Sequence, residues 1–428
     1  MLASFLLAVE LFRIVLITFL TQTISAGVEQ NLRIVHVIWR HGARAPLQLF
    51  PLDSVSKSSK WPNGLGELTS EGMQQQLLLG KLLHERYKGF LSNYTAKSVY
   101  VRSTDTNRTI VSALVNLHGM FPSKGTDALL NVSWQPIPVH TVPRRFDKLL
   151  EVTSSYCPYP DSIFFNEVMT SEPVKKIMEE NAELFNFLRN QTGLAIPTFT
   201  DIYDVYDPLN CERFHYKESS APHWVSEELF RKIESLFKIS TLYYYSHPII
   251  RRFRGGPLLE DIATVLMRKA NGTLDEQLKY VAYSAHETTL IALLTNLDVY
   301  DVTMAPEFSA CLMFELYQEN GTYYVETWYL NGLKAESVML NLPGCPTPCD
   351  VKTFAQMASG RAPQNWHDEC RITDELVFTG LSSNAQAIIL VSSVIVAVIA
   401  VGAAVIVVFM CRCFKRQKTS ISAGHSFF

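Results

Sequence analysis

The chain has 428 residues, 47% of them hydrophobic, and its 38 Lys and Arg against 41 Asp and Glu leave a formal net charge of -3. A balance so close to neutral gives no footing to a nucleic-acid partner, or to a strongly acidic or basic one. The segment between two hydrophobic ends is long enough for one large domain or two of ordinary size, with no internal repeat or low-complexity tract.

Residues 1–26 begin at the initiator, carry an uncharged apolar run at 14–20 and end on the small residues Ser25 and Ala26. This is the pattern of a secretory signal peptide, with the mature chain starting near Gly27. Glu10 and Arg13 interrupt the run, so a permanent N-terminal anchor is the alternative. Residues 34–39 are apolar on both faces apart from His36, as a strand covered by helices on both sides would be, and they run straight into Arg40-His41-Gly42-Ala43-Arg44-Ala45-Pro46.

After the capping-type Thr69, the residues Met73, Leu77, Gly80 and Leu83 recur at helical spacing, with Gln74, Gln75, Lys81 and Glu85 on the other face. A short strand at 99–101 leads into Arg102-Ser103-Thr104-Asp105 and then a helix whose apolar face is Ile110, Val111, Leu114 and Val115. From about 143 to 247 strand signals are weak and helix-like stretches appear at 174–189 and 227–242, which reads as an inserted, mostly helical cap. A third strand at 280–283 precedes Ser284-Ala285-His286-Glu287 and a helix with Leu290, Leu293, Leu294 and Leu297 on one side. Residues 311–317 and 323–330, joined at Asn320-Gly321, predict a β-hairpin. Strands alternating with helices imply an α/β three-layer sandwich with a mostly parallel central sheet.

Residues 385–410 are uncharged and exceed the roughly 20 residues that a helix needs to cross a bilayer. Arg412, Lys415, Arg416 and Lys418 follow, which places the tail, 411–428, in the cytoplasm and the body, 27–384, in the lumen or outside the cell. Six of the eight cysteines lie in that body (Cys157, Cys211, Cys311, Cys345, Cys349 and Cys370), an even number suited to disulfides whose pairing the sequence alone does not choose. Zinc is the rival for Cys345 and Cys349, but a second close pair of ligands is missing, so no metal is expected. Cys411 and Cys413, at the membrane edge, are palmitoylation candidates or free thiols. Sequons fall at Asn93, Asn107, Asn131, Asn190, Asn271 and Asn320.

The three strand-to-helix corners present Arg40, His41 and Arg44, then Arg102, Asp105 and Arg108, then His286 and Glu287. Neighbouring parallel strands would bring all of them to one crevice beyond the strands' carboxyl ends. A lone Arg is usually a solvated charge and a lone His a structural residue, but Arg-His-Gly directly off a buried strand is a costly placement unless an anion neutralises it. Bidentate guanidinium contacts suit phosphate, and helix N-termini near Thr106 and His286 would add free N–H groups. A zinc protease needs a second His where Leu290 stands, and no Gly-x-Ser-x-Gly elbow of a serine hydrolase occurs.

Arg40-His41-Gly42-Ala43-Arg44-Ala45-Pro46 together with Ala285-His286-Glu287 resembles the histidine acid phosphatases, of the prostatic and lysosomal type. The likeness spans nearly the whole body and includes Trp61-Pro62, the stretch 99–105 with Arg108-Thr109, the stretch 134–141, Tyr206-Asp207-Pro208-Leu209 and Leu342-Pro343-Gly344-Cys345. The resemblance implies hydrolysis of phosphate monoesters without metal or organic cofactor. His41 would be the nucleophile that forms a phosphohistidine, Arg40, Arg44, Arg108 and His286 the phosphate-binding set, and Glu287 the proton donor. Glu287 stands where Asp is usual in this branch and reaches one methylene further; Ala43 stands where many members have Asp. The resemblance further implies disulfides Cys157–Cys370, Cys211–Cys311 and Cys345–Cys349, and a homodimer through the stretch holding Trp134 and His140. Sugar is expected at Asn93, Asn131, Asn190, Asn271 and Asn320, and not at Asn107, beside Arg108. The whole describes a single-pass type I membrane glycoprotein of the lysosome or cell surface. The alternative is an inactive relative that serves as a surface binding protein.

Overall fold

A computed structural model describes residues 31–52, 58–91, 93–122, 135–153, 157–196, 199–216 and 222–371. The expected leader at 1–26, the apolar segment at 385–410, the tail at 411–428, Asn131 and Trp134 lie outside them. Among the described residues no helix is long and apolar enough to cross a membrane.

The frame is one mixed sheet. Its strands are β1 (Leu32–Arg40), β2 (Val99–Thr104), β3 (His140–Val142), β4 (Tyr280–Ala285), β5 (Cys311–Glu319), β6 (Thr322–Leu330), β7 (Val338–Met339) and β8 (Cys349–Asp350). They lie in the order β3-β2-β4-β1-β5-β6-β7, with β8 also on β6. From β3 to β1 the neighbours are parallel, as expected. From β1 onward they are antiparallel, so the sheet is mixed rather than mostly parallel. The reason lies in the hairpin: Asn320 and Gly321 both take positive φ, at 50° and 81°, which turns β6 back on β5, and β5 docks on the open edge of β1.

Helices α1 (Ser70–Tyr87) and α2 (Asn107–Met120) cover one face of the sheet, burying Leu79, Leu83 and Leu117 against Val35, Val37 and Trp39. The helical insert follows as α3 (Pro158–Ile163), α4 (Glu172–Glu180), α5 (Ala182–Thr192), α6 (Ile202–Tyr216), α7 (Glu227–Ser246) and α8 (Pro248–Arg254). It has a core of its own around Phe185, Leu188, Val205 and Ile233. The single helix expected over 174–189 is two, parted at Asn181. On the second face of the sheet lie α9 (Gly256–Ala270), α10 (Glu287–Asn296) and α11 (Val351–Gly360), sharing a core with Ile34, Ile38, Val281 and Phe314.

Two helix faces differ from the sequence reading. In α2 the buried residues are Thr109, Ser112, Ala113, Asn116, Leu117, Gly119 and Met120, while Ile110, Val111, Leu114 and Val115 are only partly covered. Small residues win because α1 and α2 cross at close range: a Cβ on Gly80 would stand 2.0 Å from the Asn116 carbonyl oxygen. In α1 the face is rotated toward Gly72, Gln76 and Leu79. The Leu290, Leu293, Leu294 and Leu297 face of α10 is buried as read.

Two of the three expected disulfides are present, Cys157–Cys370 and Cys345–Cys349. Cys211 and Cys311 are not bonded to each other; both are free and buried. Cys211 sits on α6 packed with Ala45 and Trp61, whereas Cys311 opens β5 in the separate core under α1 and α2. Of the expected sugar-bearing residues, Asn93, Asn190, Asn271 and Asn320 are exposed.

The start of α1 is pressed onto the corner after β1, where a Cβ on Gly72 would lie 2.0 Å from the Ala43 carbonyl oxygen. Gly72→Ala is therefore expected to cost about 1–3 kcal/mol by overpacking. Gly360→Ala, with nothing within 4 Å of the added atom, should leave the midpoint of urea unfolding in place; equal midpoints for the two variants would refute this account.

Candidate active site

Register places the corners. Arg40 stands opposite Ala285 in the β1–β4 ladder, and the His41 N–H continues it by donating to the Ala285 carbonyl at 3.0 Å. β2 is the next strand on, so His41, Arg108 and His286 meet at one end of the sheet, as three parallel neighbours require. The His41 and His286 ring centroids are 5.6 Å apart. Helix α2 begins at Asn107 behind Thr106, and α10 begins at Glu287 behind His286, so both N-termini open here as read from sequence.

His41 is buried, and its Nδ1 lies 2.8 Å from the Gly42 carbonyl oxygen. A carbonyl only accepts, so Nδ1 carries the proton and Nε2 keeps its lone pair. Burial first, then Arg108, His286, Arg44 and Arg40, hold the His41 pKa well below the usual histidine range. Gln76, buried in α1, donates from Nε2 to the Arg40 carbonyl at 2.9 Å and to Ser309 Oγ at 2.8 Å, which fixes the backbone just before the nucleophile candidate.

The arginines differ in how they are matched. Arg40 Nη2 pairs with Glu287 Oε2 at 2.7 Å, and its Nη1 donates to the Pro306 carbonyl at 2.5 Å. Arg44 is held bidentately by Asp207, at 2.7 and 3.2 Å, and also reaches the Tyr203 hydroxyl at 3.0 Å. Arg108 has no ion pair among the described residues; burial, with Arg44 next, pulls its pKa down to about 10. Its Nη2 faces His286 Nδ1 at 3.4 Å. Because a guanidinium only donates, Nδ1 accepts, and His286 Nε2 carries the proton that goes to Thr104 Oγ1 at 2.9 Å. Burial raises the pKa of Glu287, outweighing the lowering by Arg40 and Arg44.

Two of the expected residues turn away. Arg102 is bound to Asp147, and Asp105 is exposed. Arg102 lies on the same face of β2 as the exposed Tyr100, Asp105 lies just beyond the end of the strand, and the first turn of α2 carries Arg108 to the crevice.

A cavity of about 380 Å³ opens over this cluster. Its far wall comes from the insert: Tyr203 of α6, and Phe237, Ser240, Thr241, Tyr244 and Tyr245 of α7. Arg144 and Glu151 line one side. The sequence reading assigned no role to these residues or to Asp207. A signal was present for α7, since 237, 240, 241, 244 and 245 recur at i, i+3, i+4, i+7 and i+8, a stripe of rings and hydroxyls with no charge.

The family model for the histidine phosphatase superfamily (branch 2) matches residues 31–329. Lysosomal acid phosphatase of Rattus norvegicus is 38% identical over 356 residues, 82% of this chain and 82% of that one. Prostatic acid phosphatase of Homo sapiens is 36% identical over 351 residues, 81% of this chain and 89% of that one. Among solved structures, the phytase from Citrobacter braakii superposes with a TM-score of 0.62 at 18% identity, covering 80% of this chain and 100% of the other, a likeness of fold. The chain belongs to branch 2 of the histidine phosphatase superfamily. It is a phosphatase.

Asp207 is the sole carboxylate on Arg44 among the described residues and also accepts from the Leu47 N–H at 2.8 Å. Asp207→Asn should let the guanidinium drift by about 1 Å, which lowers kcat/KM on the order of a hundredfold. Steady-state kinetics with phenyl phosphate checks this, and an unchanged kcat/KM would show that Arg44 needs no such tether.

Proposed function

We propose that this phosphatase hydrolyses phosphate monoesters at acidic pH through a phosphohistidine on His41, with Glu287 as the proton donor. The observation that carries the reading is the hydrogen bond from His41 Nδ1 to the Gly42 carbonyl, which leaves Nε2 unprotonated inside an arginine-lined cavity. Nε2 attacks phosphorus, the ester P–O bond breaks, and Glu287 gives its proton to the departing alkoxide. Glu287, now a carboxylate, takes a proton from water as that water attacks the phosphohistidine and releases inorganic phosphate. Arg40, Arg44, Arg108 and His286 hold the oxygens and stabilise the charge that builds on them.

The two displaced pKa values explain an acid optimum. His41, lowered, stays neutral well into the acid range. Glu287, raised, keeps its proton to higher pH than a free carboxyl does. The competent pair, neutral His41 with protonated Glu287, therefore exists between the lowered value and the raised one, and is lost on the acid side by His41 and on the alkaline side by Glu287. The relatives named lysosomal and prostatic acid phosphatase support a lysosomal or extracellular setting. We propose as well a type I anchor at 385–410, and a homodimer that uses the exposed edge strand β3, where His140 and Thr141 face outward.

Assayed as the full-length chain on phenyl phosphate, the rate should rise as pH falls below neutrality and then decline, and a flat profile would contradict the mechanism. His41→Ala should remove turnover; activity equal to wild type would sink the nucleophile assignment. Glu287→Asp measures the cost of the longer side chain, and a gain of about a hundredfold in kcat would show the natural donor misplaced by about 1 Å.

A further inference from the structure

The chamber must also receive the alcohol to which phosphate is esterified, and its walls restrict the charge on that group. Opposite the phosphate-binding cluster, the insert offers Phe237, Ser240, Thr241, Tyr244 and Tyr245, rings and hydroxyls without a charge. The charged lining residues outside the cluster are Arg144 and Glu151. They are bound to each other: Arg144 Nε donates to Glu151 Oε2 at 2.9 Å. Glu151 is buried and also accepts from Thr153 Oγ1 at 3.0 Å, while Arg144 is half exposed. Glu151 Oε2 is 3.9 Å from His286 Nε2, so the pair sits at the edge of the phosphate cluster.

The charges of the cavity then balance in a particular way. Glu287 matches Arg40, Asp207 matches Arg44 and Glu151 matches Arg144, which leaves Arg108 without an ion pair among the described residues. A proton on Glu287 uncovers the charge of Arg40 as well. One phosphate dianion uses both positive charges, and a second anionic group on the substrate would meet the Glu151 carboxylate beside an arginine already neutralised.

Resting on the phosphomonoester reading above, we propose that Glu151, by neutralising Arg144 within the chamber, is a specificity-determining residue. It restricts the site to esters bearing a single phosphate on an uncharged, ring-containing alcohol. Esters that carry further phosphate or other anionic groups are rejected by like-charge contact rather than by size.

The test compares phenyl phosphate with 4-sulfophenyl phosphate, which has the same ring and phosphate and one further permanent anion. The wild-type full-length chain should favour phenyl phosphate in kcat/KM by about tenfold, the order expected for one unfavourable charge contact in a partly desolvated site. Glu151→Gln removes the carboxylate that faces Arg144 and should bring the ratio of the two substrates to about unity or below it. Arg144→Gln, at a half-exposed residue, leaves the carboxylate unmatched and should widen the ratio. Opposite movement of the ratio in the two variants supports the proposal. A ratio unchanged in Glu151→Gln, with both substrates slowed alike, would assign Glu151 to support of His286 and overturn it. Equal wild-type turnover of the two substrates would overturn it while leaving the phosphatase reading intact, and no turnover of either would defeat that reading itself.

Discussion

Four guanidinium groups converge on one cavity, Arg40 and Arg44 buried and Arg144 half exposed, and the rest of the structure is organised by how their charges are matched. Taking such groups out of water is tolerable only where carboxylates or a bound anion compensate. Arg44 illustrates the consequence for architecture. It sits on the corner after β1, and its bidentate partner Asp207 belongs to α6 of the insert, so one ion pair joins the two bodies across the site. Breaking a buried pair of this kind typically costs about 3–5 kcal/mol. The insert is therefore more than a lid over the sheet: it supplies the counter-charge that the loop carrying His41 and Arg44 requires.

The nucleophile candidate is oriented by backbone rather than by a side chain. Ala43 offers no carboxylate to His41: it is fully buried, its N–H donating to Gln75 Oε1 at 2.8 Å and its carbonyl accepting from the Thr69 N–H at 3.1 Å. The ring of His41 is set instead by the Gly42 carbonyl. Gly42 can stand there because no Cβ intervenes between it and the start of α1, where one would come within 2.2 Å of the Gly72 carbonyl oxygen. The Arg-His-Gly run thus reads as two candidate site residues followed by the residue that permits the close approach on which their geometry rests.

What was legible in the sequence was local or topological. β1, β2, β4 and the hairpin at Asn320-Gly321 announce themselves through apolar runs and turn chemistry, and parallel pairing then forces His41, Arg108 and His286 together. What was not legible depends on distant partners. The buried face of α2 is chosen by its crossing with α1 rather than by hydrophobicity alone, so Ile110, Val111, Leu114 and Val115 end up only partly covered. Arg102 looks like a ligand residue until Asp147 is seen to hold it. Cys211 and Cys311 looked like a pair by family likeness, but they occupy separate cores, Cys211 with Arg44 Nη1 3.7 Å from its sulfur.

Glu287 draws these threads together, because its ion pair with Arg40 and its raised pKa are two aspects of one balance. In the empty cavity Arg40 favours the carboxylate, while burial disfavours it. A phosphate dianion arriving among the arginines would compensate Arg40 from the other side and withdraw the attraction that keeps Glu287 ionised. Burial then dominates and the carboxyl takes up a proton. If Glu287 is the proton donor, as proposed above, substrate binding and the loading of that donor are thermodynamically linked through a single guanidinium, the one that Glu287 contacts at rest.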